Sequence, residues 1–480
     1  MNASIHYLIV DQGTSSTKAF LFDSDGQIAH TNRIRHTLLH PAPKHVESDP
    51  MNILHACSTL ISDALEYVKK SGGRITSIGF AVQRSTFLFW DKETLVPFTP
   101  AISWQDTRAW KEAEEFLLYS ERIWEITGAP LSSHFGAPKF LHLSDKDSSL
   151  KERIENETVW FGPLSAFLTH ALTGICSIDE SIACRTLLFD IHTSDWSSEL
   201  LDLFQIPKHC LPPISPTVDN FGVVQFDDTE IPLNCVIGDQ QAALIGQGGA
   251  EAETLAMNFG TSGSVQLNTG QNVQTTQGLL SSVLFSCKRN RLFMLEGTIN
   301  ACNSLFYQLE KDLNIPHKKM LWHDRCTNTN TEGVFISGVS GLAAPHWKDR
   351  FSSIEIGLND SSNDERIRAG MESIGFLVHD IFSVMRALLT KTSPLITASG
   401  GGARPPLLQF VADLIRINIG HTTMKDRTAL GVYRLLRYNE EGKFPSVNIE
   451  CDQVFQPKMT SELQDKKLAT WNKALDQIEG

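Results

Sequence analysis

The feature that most constrains the fold is a polar turn between two apolar runs near the N-terminus. Residues 5–10 (IHYLIV) and 19–22 (AFLF) are typical of buried strands. Between them, residues 11–18 (DQGTSSTK) hold a carboxylate, a glycine, four hydroxyl side chains and a lysine. Such a turn can present consecutive backbone N–H groups to an anion, and Lys18 adds a charge suited to phosphate. The spacing differs from the P-loop pattern GxxxxGK[ST], so we predict a different kind of phosphate-binding hairpin.

A similar unit recurs in the second half of the chain. Residues 258–264 (NFGTSGS) again place Gly-Thr-Ser after an apolar run and before a strand. Strand and helix patterns alternate along both halves, which predicts an α/β architecture. A chain of 480 residues is too long for one ordinary core, so we expect two domains, residues 1–247 and 248–480. The recurrence indicates a duplicated domain, although a three-residue match also arises by chance.

Composition limits the classes of partner. A formal net charge of −13 argues against a nucleic-acid partner, which requires clustered Lys and Arg. No apolar run approaches the roughly 18 residues of a membrane-spanning helix, and the N-terminus lacks a basic region and a cleavage site. The nine cysteines show no CxxC pair and no Cys/His metal spacing. We therefore predict a cytoplasmic protein with reduced thiols and no membrane partner.

Two aspartates follow predicted strands. Asp11 ends the first strand, where it could hold Mg²⁺ through water, because magnesium keeps most of its water shell. The alternative is a turn-capping aspartate. Asp239 follows a strand and a glycine at the beginning of a helix, which places it at the sheet edge where α/β ligand sites lie. The alternative for Asp239 is a helix N-cap.

Three further segments combine turns with polar side chains. Residues 398–403 (ASGGGA) join a strand to a helix, and their glycines allow a flat ligand to approach the backbone. The alternative is simply a tight turn. Gln83-Arg84 and residues 104–108 (WQDTR) follow strands in the first half, where their side chains could bind hydroxyl groups. The alternative there is a set of surface loops with salt bridges.

Together these segments resemble the FGGY family of carbohydrate kinases, in the fold superfamily of actin and hexokinase. The matching motifs run nearly end to end, from DQGTSSTKAFLFD through WQDTR, GDQQAALIGQ and NFGTSGS to SGGGARPPLLQFVADLI. The resemblance implies two RNase H-like domains, with ATP and a small sugar or polyol bound in the cleft between them. Family members are often dimers or tetramers, so a homodimer is one expected assembly.

Different motifs of the chain resemble different branches of the family. GDQQAAL, WQDTR and DIHTSDW resemble glycerol kinases, whereas NFGTSGS and EGTINACNS resemble xylulokinases and gluconokinases. Glycerol kinases have Gln-Arg-Glu-Thr where this chain has QRST, so Ser85 replaces the glutamate that holds glycerol, and His134 replaces a pocket tyrosine. Losing a charge-assisted acceptor costs about 1.5–3 kcal/mol, or one to two orders of magnitude in affinity. We therefore predict an acceptor other than glycerol.

The resemblance also implies a role for each candidate residue. Asp239 would be the general base, and Asp11 and Asp239 would hold Mg²⁺. The predicted ATP contacts are Gly13, Thr14, Ser15, Lys18, Gly260, Thr261, Gly401, Gly402 and Ala403. The predicted acceptor pocket comprises Arg84, Ser85, Trp104, His134, Asp239 and Gln240, with Gln105 at its margin. The family usually has an asparagine in the last motif. That position falls near Arg404-Pro405 in this chain, so no side-chain contact with adenine is assigned there. Two alternatives stay open, a xylulokinase-type ketose kinase and a non-catalytic ATP- and sugar-binding sensor.

Overall fold

A computed structural model describes residues 4–226, 228–338, 341–348, 351–391, 395–423, 426–446 and 450–479. The strands are β1 (Ile5–Gln12), β2 (Ser16–Asp23), β3 (Ile28–Arg35), β4 (Glu47–Ser48), β5 (Arg74–Val82), β6 (Phe87–Asp91), β7 (Ala101–Ile102), β8 (Val159–Pro163), β9 (Ile178–Asp179), β10 (Phe189–Asp190), β11 (Asp195–Trp196), β12 (Ile214–Ser215), β13 (Val223–Phe226), β14 (Thr229–Gly238), β15 (Leu255–Phe259), β16 (Gly263–Gly270), β17 (Leu280–Cys287), β18 (Asn290–Ile299), β19 (Val334–Ile336), β20 (Ile354–Ile356), β21 (Leu395–Ser399), β22 (Asn418–His421) and β23 (Gln453–Phe455).

The helices are α1 (Pro50–Ser71), α2 (Trp110–Glu114), α3 (Ser120–Thr127), α4 (Gly136–Lys146), α5 (Ser148–Glu155), α6 (Leu164–Thr173), α7 (Glu180–Ala183), α8 (Ser198–Phe204), α9 (Asp239–Gly246), α10 (Asn303–Asp312), α11 (His317–Met320), α12 (Trp322–Thr327), α13 (Asn363–Arg386), α14 (Pro405–Ile415), α15 (Arg427–Glu441) and α16 (Ser461–Glu479). Short 3₁₀ turns lie at Leu117–Tyr119 and Lys208–Cys210. The mixture of strands and helices confirms the predicted α/β class.

The central strands of the two large sheets follow the same order, counted from opposite edges. The first runs β13-β14-β5-β1-β2-β3 and the second β17-β18-β16-β15-β21-β22-β23. In the first sheet, β1 is antiparallel to β2 and parallel to β5. In the second sheet, β15 is antiparallel to β16 and parallel to β21. The two Gly-Thr-Ser segments therefore occupy the same place in each sheet, in the turn of the first hairpin.

Helix α1 begins and ends at the capping residues that its sequence indicates. The Asp49 side chain accepts hydrogen bonds from the backbone N–H groups of Met51 and Asn52, and Pro50 occupies the first turn. Gly72 ends the helix in a left-handed conformation, with φ of 71°. The apolar face of α1 packs against β1, β2, β3 and β5, so this helix covers one face of the first sheet.

The opposite face of the first sheet is covered by a helix from the second half of the chain. Helix α15 packs on β1, β5 and β14 and crosses α9. The crossing is close because a Cβ atom at Gly431 would overlap the carbonyl oxygen of Ala242, and one at Gly246 would overlap that of Arg427. Since α15 covers the sheet of the other half, the two halves share a core. The domain division at residues 247 and 248 stays a prediction.

Two further features concern the helices and the cysteines. In the ranges that the structure describes, no helix has both the length and the apolar character needed to cross a bilayer. All nine cysteines carry free thiols, and six of them are buried: Cys57, Cys184, Cys210, Cys235, Cys302 and Cys326. Burial raises the pKa of these thiols, which keeps them protonated and unreactive.

Candidate active site

The turn between β1 and β2 is closed by a backbone hydrogen bond of 3.0 Å from Gly13 N to the Ser16 carbonyl oxygen. The hairpin register places Asp11 opposite Lys18. Lys18 Nζ lies 3.9 Å from Asp11 Oδ2 and 3.6 Å from Asp426 Oδ1. The predicted phosphate-binding lysine is therefore held between two carboxylates, one of them from the distant N-terminus of α15.

Asp11 lies among other acidic side chains, and its side chain is 15% exposed. Burial is the main reason that the pKa of Asp11 rises to about 7; the charge of Lys18 opposes the shift, and those of Asp239 and Asp426 add to it. In the described residues no group of three or more His, Cys, Asp or Glu side chains can hold a metal ion alone. Mg²⁺ takes one or two carboxylates and keeps its waters, so Asp11 and Asp239 fit as its ligands.

The second Gly-Thr-Ser turn lies against the beginning of α10. Gly260 N donates to the Ser262 carbonyl oxygen at 2.8 Å, which closes the turn. The carbonyl oxygens of Gly260 and Thr261 accept hydrogen bonds from Asn303 N and Ser304 N at 3.1 and 3.2 Å. The Thr261 side chain remains exposed, so it is available to a ligand in the cleft.

The glycine-rich turn after β21 meets this second hairpin. Gly402 N donates to the Phe259 carbonyl oxygen at 2.7 Å. Gly400 has φ of 100°, and a Cβ atom there would overlap the same carbonyl oxygen. A Cβ atom on Gly402 would lie 3.1 Å from the Asn303 side chain. Glycine is therefore required for close packing at this turn, and Asn303 joins a surface that its sequence position did not reveal.

A cavity of about 730 Å³ connects the first hairpin to the glycine-rich turn. Its walls include Asp11, Lys18 and Gly401. Arg427 also lines it, donates a hydrogen bond to Ser399 Oγ, and pairs with no carboxylate among the described residues. Burial lowers the pKa of Arg427 to about 10. A cation without a counter-ion in a cavity wall is suited to a phosphate group, and no sequence motif had singled it out.

Asp239 is the first residue of α9, and Gly238 is the N-cap, so the N-cap alternative for Asp239 is wrong. Asp239 Oδ1 accepts a hydrogen bond of 2.8 Å from Gln240 N. Burial raises the pKa of Asp239 above its ordinary value, while Arg84 opposes the shift. The Asp239 side chain is 25% exposed, so this carboxylate is both accessible and more basic than usual, as a general base requires.

Arg84 is held by a carboxylate from the second half of the chain. Its two terminal nitrogens donate to Glu296 Oε2 and Oε1 at 2.8 and 3.0 Å. Its Nε lies 3.7 Å from Asp239 Oδ1. Arg185 also donates to Glu296, at 2.9 Å. Glu296 opens the EGTINACNS motif, but only the positions of Glu296 and Arg185 as charges inside apolar runs could have singled these two residues out.

Trp104 connects the acceptor side to the first hairpin. Its indole Nε1 donates to Thr14 Oγ1 at 2.9 Å. His134 Nδ1 lies 2.8 Å from the Trp104 carbonyl oxygen, so Nδ1 carries the proton and donates. Asp106 and Arg108 of the WQDTR segment are structural, because Arg108 pairs with Asp106 at 2.7 Å and with Glu47 at the same distance. The salt-bridge alternative therefore holds for Asp106 and Arg108, but not for Trp104.

A buried lysine fixes the backbone on which the acceptor residues lie. Lys139 Nζ donates to the carbonyl oxygens of Ser85 and Ser103, both at 2.8 Å. Ser85 has φ of 59°, a left-handed conformation that such a contact helps to hold. Lys139 is 1% exposed, and burial lowers its pKa to about 7. The fold thus places Ser85 beside Arg84 with its backbone anchored, a function of Lys139 that no motif indicated.

The fold brings the predicted residues into two connected groups. One joins Asp11, Lys18 and Gly401 around the cavity, and the other joins Arg84 with Asp239. The backbone N–H groups of Gln240 and Gln105 donate to Asp239 Oδ1 and Ser103 Oγ, and a side-chain hydrogen bond from Gln240 also acts to lower the pKa of Asp239. The specific roles of all these residues stay predictions.

Comparisons with known proteins identify the family. Residues 6–246 match the model of the FGGY family of carbohydrate kinases, N-terminal domain, and residues 255–439 match its C-terminal domain. A glycerol kinase from Thermococcus kodakarensis is 31% identical over 483 residues, covering 98% of this chain and 97% of the relative.

Solved structures agree with this assignment. The Plasmodium falciparum glycerol kinase with ADP superposes with a TM-score of 0.90 at 27% identity, covering 99% of this chain and 98% of the other. A xylulose kinase from Rhodospirillum rubrum has a TM-score of 0.85 at 17% identity, covering 99% and 100%, and shows the fold alone. The predicted resemblance and the two-domain actin- and hexokinase-like fold are confirmed. The chain belongs to the FGGY family of carbohydrate kinases.

Proposed function

We propose that the protein transfers the γ-phosphate of ATP to a hydroxyl group of a small sugar or polyol. The observation that carries the proposal is the position of Asp239 between the two groups of site residues. On the acceptor side, its carboxylate lies 3.7 Å from Arg84 Nε. On the phosphate side, its charge raises the pKa of Asp11. Asp239 therefore lies where an acceptor hydroxyl and a phosphoryl group would meet.

The chemistry follows the general logic of phosphoryl transfer, in which positioning and electrostatics contribute most of the catalysis. Asp239 accepts the proton of the acceptor hydroxyl as the hydroxyl oxygen attacks the γ-phosphorus in line, and the bond between the γ-phosphorus and the bridging oxygen breaks, so that ADP leaves. The Gly13–Ser15 turn, Lys18 and the Gly260–Thr261 turn bind the phosphates. Asp11 and Asp239 would hold Mg²⁺, which would supply positive charge to the transferring phosphate. Gly401, Gly402 and Ala403 border the adenosine.

We also propose that the best acceptor is not glycerol. Ser85 presents a short hydroxyl side chain beside Arg84, and the carboxylates that contact Arg84 among the described residues are Asp239 and Glu296. Asp239 is assigned to the reacting hydroxyl and Glu296 is 1% exposed, so neither of these two carboxylates is left for the other glycerol hydroxyls. The curated relative above is named as a glycerol kinase, which makes glycerol the necessary reference acceptor.

A coupled ADP-release assay tests both proposals. The acceptors are glycerol, erythritol, ribitol, xylitol, xylulose, ribulose and gluconate, with the Asp239→Asn variant as the blank for contaminating kinases. Acceptor-dependent ADP release supports the kinase, and a preference for xylulose identifies the ketose-kinase alternative. A strong preference for glycerol overturns the acceptor proposal. ATP and sugar binding without turnover overturns the kinase and supports the sensor.

A homodimer remains our proposal for the assembly. Sedimentation velocity of the full chain gives the mass of the species in solution, and a mass close to the single-chain value of 53.4 kDa contradicts it. The measurement is made with and without ATP and the best acceptor, because ligands that bind one assembly preferentially shift the equilibrium toward it.

A further inference from the structure

We infer that Glu296 is a positioning residue that holds the Arg84 guanidinium away from Asp239 and so leaves Asp239 free to accept a proton from the acceptor. The inference rests on the proposed function. It adds a residue from the second half of the chain to the acceptor pocket of the first half.

The geometry shows two carboxylates around one guanidinium. Glu296 takes both terminal nitrogens of Arg84 at 2.8 and 3.0 Å, the paired arrangement that makes arginine–carboxylate contacts strong. Asp239 lies 3.7 Å from the remaining Nε, beyond hydrogen-bond distance. Glu296 therefore takes both terminal nitrogens of Arg84 and leaves Asp239 only the longer contact with Nε.

Burial strengthens the competition between Glu296 and Asp239 for the Arg84 guanidinium. The Glu296 side chain is 1% exposed, that of Arg84 12% and that of Arg185 2%. A buried guanidinium that loses its carboxylate is left with a large desolvation cost, so it moves to the nearest alternative acceptor. For Arg84 that acceptor is Asp239. Arg185 Nη1 already lacks a hydrogen-bond partner among the described residues, so the cluster has more donors than acceptors.

The backbone holds Glu296 rigidly. Its strand, β18, is paired on both sides, with Gln266 opposite Glu296 in β16 and Leu280 opposite it in β17. A side chain in the centre of three paired strands has little freedom to follow Arg84 if the arginine moves. The position of Arg84 is therefore set by the second sheet, although Arg84 itself follows a strand of the first.

The test replaces Glu296 with an uncharged residue of the same shape. In Glu296→Gln, we expect kcat to fall and the acceptor KM to rise by about tenfold or more each, because Arg84 turns to Asp239. The KM for ATP should change less than the acceptor KM, since Lys18 and the two Gly-Thr-Ser turns, the other predicted phosphate contacts, keep their positions. Glu296→Asp keeps the charge and the fold but shortens the side chain, so it should shift kcat and acceptor KM in the same direction by less.

The chain offers a matched control in the same interface. Glu180 takes two nitrogens of Arg291 at 2.7 and 2.6 Å, is 4% exposed, and also joins the first half to β18. Glu180→Gln removes a buried carboxylate whose partner, Arg291, is 41% exposed, and it leaves the contacts of Arg84 in place. We expect it to lower the melting temperature while leaving acceptor KM and kcat near wild type. Equal kinetic losses in the two variants would mean that Glu296 only stabilises the interface, and would overturn the inference.

A double variant separates positioning from binding. If capture of Asp239 by Arg84 is the defect, Arg84→Gln combined with Glu296→Gln should recover kcat at saturating acceptor relative to Glu296→Gln alone. A further loss of kcat in the double variant overturns the inference, as does wild-type kinetics in Glu296→Gln. An absence of acceptor-dependent turnover in the wild-type chain overturns the proposed function first, so the two failures are distinct.

Discussion

The indole N–H of Trp104 donates a hydrogen bond of 2.9 Å to Oγ1 of Thr14. The two residues are 90 positions apart in the chain, one in the acceptor group and one in the phosphate-binding hairpin. Trp104 is 37% exposed, so part of its side chain is accessible to a ligand. A change in one subsite can therefore reach the other through a single side-chain contact.

We expect Trp104→Phe to raise the KM for both ATP and the acceptor, because the phenyl ring keeps most of the contact area and loses the donor. A neutral hydrogen bond contributes about 0.5–1.5 kcal/mol, which corresponds to roughly two- to tenfold. Thr14→Val removes the acceptor oxygen with little change in shape. Steady-state kinetics of the two single variants and the double variant should show non-additive losses. Strictly additive losses would show that the two subsites are independent.

Asp239→Asn should lower kcat by about 10²–10⁴-fold while the affinity for ATP is kept, because the amide cannot accept the proton. ADP release measures turnover, and titration calorimetry measures ATP binding. Asp195→Asn is the control, since its side chain is 63% exposed and lies outside the site. Turnover of Asp239→Asn within about tenfold of the wild-type value would exclude Asp239 as the general base.

Lys139 should make stability increase with pH. Its pKa in the folded protein is about 7, below the ordinary value of 10.5. Between these values the unfolded chain binds a proton that the folded chain has released, so the free energy of unfolding rises with pH by up to about 1.4 kcal/mol per unit. Below the pKa of the folded state, Lys139 is charged in both the folded and the unfolded chain, so the folded chain bears the full cost of burying the charge.

Urea unfolding of the wild type and of Lys139→Met, each at about pH 7 and about pH 9, measures this effect. We expect the wild type to gain stability relative to the variant as the pH rises, because methionine carries no titrating group. Other groups titrate in both proteins, so the comparison isolates Lys139. Parallel pH profiles for the two proteins would show that Lys139 titrates normally.

Gly400→Ala should lower the melting temperature and weaken ATP binding, because its φ of 100° and the Phe259 carbonyl oxygen leave no room for a Cβ atom. Gly401→Ala is the matched control for folding, since its nearest neighbour would lie 3.9 Å away, at the Asn303 side chain. We expect Gly401→Ala to keep the melting temperature and to raise the KM for ATP, where the added methyl group meets the nucleotide. Unchanged ATP kinetics in Gly401→Ala would place the nucleotide elsewhere.

Local sequence patterns were sufficient for much of the fold and for several site residues. The β1–β2 hairpin, the capped helix α1 and the position of Asp239 at a strand–helix junction depend on residues only a few positions apart. Strand periodicity, turn composition and capping are local properties, so they can be read without the tertiary structure. The two Gly-Thr-Ser turns were found for the same reason, and their equivalent place in the two sheets follows from the strands beside them.

Only the tertiary structure decided which distant charges meet. Glu296 binds Arg84 across 212 positions, and Asp426 lies beside Lys18 because α15 packs on the sheet of the other half. A buried charge needs a partner, but nothing local to the sequence states which strand will supply it. The sequence by itself determined the hairpins, the junctions and the family. Long-range packing of the two sheets decided the electrostatic surroundings of Asp239, because the position of each counter-ion depends on the whole fold.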